Sequence, residues 1–142
     1  MAVHYYTEEC RYRLPKKRQT AAWLEEVARE EGYALGEVNY IFCSAEHLLE
    51  MNRQFLGHDY YTDIITFDYS DLKKTRTIHG DIYIDVETVR YNARLYKATA
   101  LNEMRRVIVH GVLHLCGQKD KTPRANAMMH KKEDKYLKFW TL

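Results

Sequence analysis

His110 and His114 stand four residues apart in this chain, and Gly117 and Asp120 follow within the stretch His-Gly-Val-Leu-His-Leu-Cys-Gly-Gln-Lys-Asp. At ~100° per residue, an i, i+4 pair on a helix is separated by about 40°, so both imidazoles project from one face. Gly117 falls where a glycine in the left-handed conformation can end the helix. The chain can then turn back and carry Asp120 toward the two rings. Two imidazole nitrogens and a carboxylate oxygen suit one divalent zinc ion and leave its fourth position open to water, as in a catalytic rather than a structural site. Such an ion lowers the pKa of water toward about 7 and stabilises charge on a phosphoryl or carbonyl oxygen. The residues therefore predict metal-assisted hydrolysis, with His110, His114 and Asp120 as metal-binding and catalytic residues.

The competing explanation of a bare His-x-x-x-His is a pair of core histidines. The context favours the metal. Val107-Ile108-Val109 feeds into His110, and Val112, Leu113 and Leu115 pack the rest of the helix, so both imidazoles sit on a buried element. Cys116 lies about 120° or more around the helix from both rings and is read as a packed thiol. Position 111 decides between substrates. A zinc peptidase places a Glu directly after its first His as general base, and this chain has Gly111 there. Phosphodiester cleavage needs that Glu less, because its leaving oxygen is better than an amine. A nuclease is favoured over a peptidase-like zinc hydrolase. Gly111 also admits close approach to the helix, by substrate or by a packed neighbour.

The segment His-Gly-x-Leu-His-Leu-x-Gly-x-x-(His/Asp) resembles the signature of the YbeY-type endoribonucleases, bacterial ribosomal RNA maturation factors with a zincin-like fold. Asn52, Phe55, Asp59, the run Thr62-Asp63-Ile64-Ile65-Thr66-Phe67 and Gly80-Asp81-Ile82 resemble further family segments, so the likeness spans about residues 37 to 137. It implies a single-strand-specific, zinc-dependent endoribonuclease acting in ribosomal RNA maturation, at the 3′ end of 16S rRNA, and in ribosome quality control. Its partners would be single-stranded RNA and the ribosomal subunit. Two positions depart from the family pattern. Asp120 stands where a third His is common, and Leu56 stands where an Arg follows the aromatic of the Asn-x-x-aromatic stretch; Arg53, on the same helix, is the substitute within reach. A non-catalytic RNA- or ribosome-binding assembly factor, its metal only stabilising the fold, is the alternative of a different class.

Supporting groups are open to choice. Each ligand His is expected to donate its second ring nitrogen to a carboxylate or backbone carbonyl, with Asp63 and Asp81 as candidates. Glu103, seven residues before His110 on the same helix face, can reach the site. His58, Tyr60 and Tyr61 are candidates for stacking or phosphate contacts to RNA.

The elements that must hold these groups follow from length and periodicity. At 142 residues, with 46% hydrophobic and 30% charged residues, the chain is read as a single metal-dependent hydrolase domain over 1–142. The net charge of +2 is small, but residues 101–142 hold nine Lys/Arg against four Asp/Glu, and residues 11–18 hold five bases and no acid. Basic residues near a metal site fit a polyanionic substrate. Three cysteines without a C-x-x-C spacing, no apolar run long enough to span a membrane and no secretory pattern imply a reduced, cytoplasmic protein. Strands are expected over 2–7, 37–43, 62–67 and 78–86. The adjacent Ile64 and Ile65 in the third suggest cover on both faces. Helices are expected over 15–31, 44–55, 87–97, 100–117 and 123–139. The loop 68–76 and the tail after 139 are expected to be mobile. The fold class is α+β: about four strands in a mixed sheet, helices packed on it, and a zincin-like metal-binding helix.

Overall fold

The computed structural model describes residues 2–59 and 61–140. Its elements run β1 (Ala2–Glu8), α1 (Lys17–Glu30), β2 (Ala34–Cys43), α2 (Ala45–Leu56), β3 (Ile64–Asp68), β4 (Thr77–Asp85), α3 (Val86–Leu95), α4 (Ala100–Leu115) and α5 (Pro123–Leu137). One sheet of order β1-β2-β4-β3 carries them. β1 and β4 flank β2 in parallel, and β3 closes the sheet as an antiparallel edge on β4. The α+β class with a mixed four-stranded sheet is the one expected from the sequence.

Period-2 alternation divides the core between the two faces of the sheet. Val38, Tyr40 and Phe42 of β2 and Ile82 and Ile84 of β4 face one way, into a core completed by α1, α3, α4 and α5. Cys43 and Ile65 face the other way and meet Leu48 and Met51 of α2. Ile64 and Ile65 are thus each covered, on opposite faces, even though β3 is an edge strand. β2 begins at Ala34, three residues before the expected start at 37, because Ala34 and Leu35 pair with Thr77 and Ile78 across a register shift.

Side-chain caps set the helix starts. Ser44, Asp85, Thr99 and Thr122 each accept a hydrogen bond from a backbone N–H of the first turn of α2, α3, α4 and α5. Val86, grouped with the fourth strand by alternation, instead opens α3, because Asp85 accepts from the N–H groups of Glu87 and Thr88 at 2.9 and 3.1 Å. The tail expected to be mobile after 139 is packed at Trp140, while residues 141 and 142 lie outside the described residues. The Trp140 ring meets Trp23 edge-on at 5.4 Å, and the Arg105 guanidinium lies 4.1 Å from its centroid.

α4 presses directly on the sheet. A Cβ at Gly111 would stand 2.8 Å from Ile82 Cδ1 and 3.0 Å from Ile82 Cγ2, closer than side-chain packing allows. The close approach that Gly111 permits is therefore that of β4. This contact fixes the depth and rotation of α4, and with them the direction of the two imidazoles.

Candidate metal centre

α4 ends at Leu115 with Cys116 as its C-cap, and Gly117 follows with φ +90°, a conformation open to glycine at little cost. The N–H groups of Gly117 and Gln118 donate to the carbonyls of His114 and Leu113, each at 2.9 Å, so the last turn is closed by the returning chain. That reversal brings Asp120 back over the helix end. Its Oδ2 lies 3.4 Å from Nε2 of His110 and 3.3 Å from Nε2 of His114. One ligand atom from each of the three residues falls within 4.8 Å of the others. Bonds of about 2.0–2.1 Å around a tetrahedral ion put ligand atoms about 3.3–3.4 Å apart, so this separation fits a single small cation.

The other ring nitrogens fix the tautomers. Nδ1 of His114 lies 2.9 Å from the Gln118 carbonyl oxygen, which can only accept, so Nδ1 carries the proton and Nε2 keeps its lone pair. Nδ1 of His110 likewise donates to Glu133 Oε2 at 2.5 Å. Glu133 also accepts from Arg106 Nη1 at 3.0 Å, and Arg106 bridges on to Asp134 at 2.6 Å. Burial alone would push the His110 pKa down, but the hydrogen bond and charge of Glu133 outweigh it and the pKa is raised. The His114 pKa is lowered, by burial first and then by the neighbouring charge of His110. Glu133 is pushed up by burial, yet the His110 and Arg106 contacts win and hold it below the ordinary carboxylate range.

Glu133 is the supporting residue that the sequence reading did not name. The two candidates it did name serve elsewhere. Asp81 alternates with Ile82 and so lies on the sheet face away from α4, where the Asn39 amide donates to it at 2.9 Å. Asp63 comes beside His110 but makes no hydrogen bond to either imidazole; burial raises its pKa and the His110 charge opposes the shift. Glu103 does reach the site region, buried on the wall of a cavity that also includes His110. Arg53 does not: its Nε pairs with Asp59 Oδ1 at 2.5 Å, and it lines neither cavity at the metal centre.

An open cleft of about 560 Å³ includes the triad in its lining, together with Asn52, Leu56, His58, Thr62 and Lys121. Lys121 places a positive charge next to Asp120, a contribution the sequence reading passed over. Tyr61 is exposed and does not line the cleft, and Tyr60 lies outside the described residues.

A mixed sheet with a helix-borne histidine pair and a carboxylate folded back onto it is an arrangement that could hold a metal ion, of the kind metal-dependent hydrolases use. Comparison with known proteins narrows this. The family model for Endoribonuclease YbeY matches residues 6–141. Endoribonuclease YbeY of Bacteroides thetaiotaomicron is 49% identical over 137 residues, covering 96% of this chain and 98% of the relative. That of Cytophaga hutchinsonii is 48% identical over 135 residues, covering 95% and 93%. The solution structure of a Thermotoga maritima protein matches with a TM-score of 0.66 and 28% identity, over 96% of this chain and 87% of that one. The chain belongs to the YbeY endoribonuclease family.

Proposed function

We propose that the chain is a zinc-dependent, single-strand-specific endoribonuclease of ribosomal RNA maturation, with His110, His114 and Asp120 as its metal ligands. Family membership supports the RNA substrate. The observation that carries the site is the pair of Nε2-to-Asp120 separations, 3.4 and 3.3 Å, with both Nδ1 atoms already committed to acceptors. A bound zinc ion would supply Lewis acidity toward a phosphodiester.

The chain's own groups do the rest. Glu133 and the Gln118 carbonyl hold the two imidazoles in the ligating tautomer and orientation. Lys121, at the cleft wall, attracts and orients a phosphate. A peptidase's general base has no place after His110, because position 111 faces Ile82 in the packed core. The 3′ end of 16S rRNA and the ribosomal subunit are the substrate and partner toward which the family points. Among the described residues no helix is long and apolar enough to cross a membrane. Free thiols at Cys10, Cys43 and Cys116 support a reducing compartment, the cytoplasm.

The test sets a single-stranded RNA and a peptide library side by side, with zinc, with chelator, and with a folded His114→Ala variant. RNA cleavage lost in the last two arms, and no peptide cleavage in any, is the expected result. RNA binding without turnover in every arm would leave an assembly factor in place of an enzyme.

A further inference from the structure

A second cavity, of about 500 Å³, opens between α3, α4 and α5 and shares Asp63, Ile64 and His110 with the metal cleft. A strand lying in the cleft across the triad thus has this cavity as the next space for a base. The volume is that of a small-molecule pocket.

Three carboxylates line it, Asp63, Glu103 and Glu133, beside Arg106, His110 and His130. Glu103 is 6% exposed, and its carboxylate makes no hydrogen bond among the described residues. Asp63 faces the same space. The one guanidinium on the wall, Arg106, is already held by Glu133 and Asp134. Such a cavity repels phosphate. It suits an uncharged planar group that brings N–H donors to a buried carboxylate. Asn92 and Asn102 add amides, and Tyr96, 65% exposed, offers an aromatic face on the wall.

We infer that this cavity holds the nucleobase next to the scissile phosphodiester and selects an amino-bearing base, guanine above all, against uracil. The inference rests on the RNA substrate proposed above. Guanine presents adjacent N1–H and N2–H donors that match the two oxygens of Glu103. Uracil turns two carbonyls toward the same carboxylate around a single N–H. Stacking on Tyr96 would strengthen binding of either base.

Metal-free protein separates this pocket from catalysis. Fluorescence anisotropy compares hexauridylate with the hexamer carrying one central guanine. The guanine hexamer is expected to bind about tenfold tighter, the scale of one bidentate contact to a base. Glu103→Gln, which removes one of the two acceptors for guanine and relieves the clash with uracil's carbonyls, should bring the two within twofold. Should that variant fail to fold, Tyr96→Ala, at an exposed position, is expected to weaken the guanine hexamer about fivefold, the scale of one stacked base. Equal wild-type affinities, or a guanine preference unmoved in a folded Glu103→Gln, overturns the pocket, as does a Tyr96→Ala without effect. The zinc-loaded cleavage assay reads independently: a guanine preference without cleavage sinks the nuclease reading alone, and cleavage without preference sinks the pocket alone.

Discussion

The carboxylate of Glu133, 2% exposed, lies 2.5 Å from Nδ1 of His110 across the α4–α5 contact. The imidazole of one helix, whose Nε2 faces Asp120, is therefore oriented by a buried charge on another. Glu133→Ala should weaken zinc binding about 10–100-fold, the usual effect of losing a partner behind a ligand histidine. It should also cost about 1–3 kcal/mol of stability, because His110 and Arg106 lose a buried acceptor. Zinc titration against a competing chelator and urea unfolding read the two effects separately. An unchanged zinc affinity would remove Glu133 from the support of the centre.

Asp120 reaches both imidazoles with a single oxygen. Asp120→Ala is expected to weaken zinc binding by about tenfold or more, whereas Asp120→His should retain it, since imidazole is an equally competent ligand. Equal zinc affinity in the wild type and in Asp120→Ala would exclude the carboxylate from the ion's ligands.

The clustering of His110, His114 and Asp120 was legible where its geometry is local. Four-residue spacing aligned His110 with His114, and a glycine at 117 announced the turn that returns Asp120. Glu133 was not legible by proximity, because it enters through the packing of α5 on α4. A signal existed all the same: Met129, Glu133 and Tyr136 occupy the buried stripe of α5 at i, i+4 and i+7, and a charge on such a stripe calls for a buried partner. Asp81 could have been set aside by the same logic, since period-2 alternation puts it on the opposite face from Ile82, which meets α4. The inner role of Gly111 needed the tertiary contact. Helix periodicity placed it beside the histidines but did not say that the sheet, not substrate, fills the space.

Gly111 carries a prediction of its own. Alanine is the better helix former by about 1 kcal/mol, yet its methyl would overlap the fully buried Ile82, and overpacking costs about 1–3 kcal/mol. Gly111→Ala should therefore be destabilised by about 1 kcal/mol net in urea unfolding. Gly111→Glu, which restores the peptidase pattern on paper, should lose about 3 kcal/mol or more and gain no peptidase activity, because a charge would be buried without a partner. A stable Gly111→Glu protein would show that α4 does not rest on β4 as described.

Alkaline stability follows from the buried thiol on the α2 side of the sheet. Burial pushes Cys43 up from 9.0 to about 12, with the nearby Asp85 charge acting in the same direction. The folded state therefore keeps a neutral thiol while the unfolded chain ionises. Stability is fully present below pH 9 and falls as pH rises from 9 to 12, at up to about 1.4 kcal/mol per pH unit for this group. Urea unfolding at pH 8, 9.5 and 11 should show the decline, and Cys43→Ser should make it shallower. An identical slope in the variant would assign the loss to other groups, Tyr5 and Cys116 among them, since burial also raises both to about 12.

Removing the metal should lower stability without unfolding the chain, because the core beneath α4 is closed by apolar contacts that do not involve the triad. Binding that favours the folded state adds about 2.7 kcal/mol when free zinc is one hundred times its Kd. For a chain of this size each kcal/mol moves the melting temperature by about 2–4 °C, so chelation should lower it by about 5–10 °C. His114→Ala should melt at the same temperature with and without chelator, since it has lost one of the two imidazole donors. A wild-type melting temperature indifferent to zinc and chelator alike would mean that the 3.3 and 3.4 Å separations reflect charge pairing between Asp120 and the imidazoles, and not a cation site.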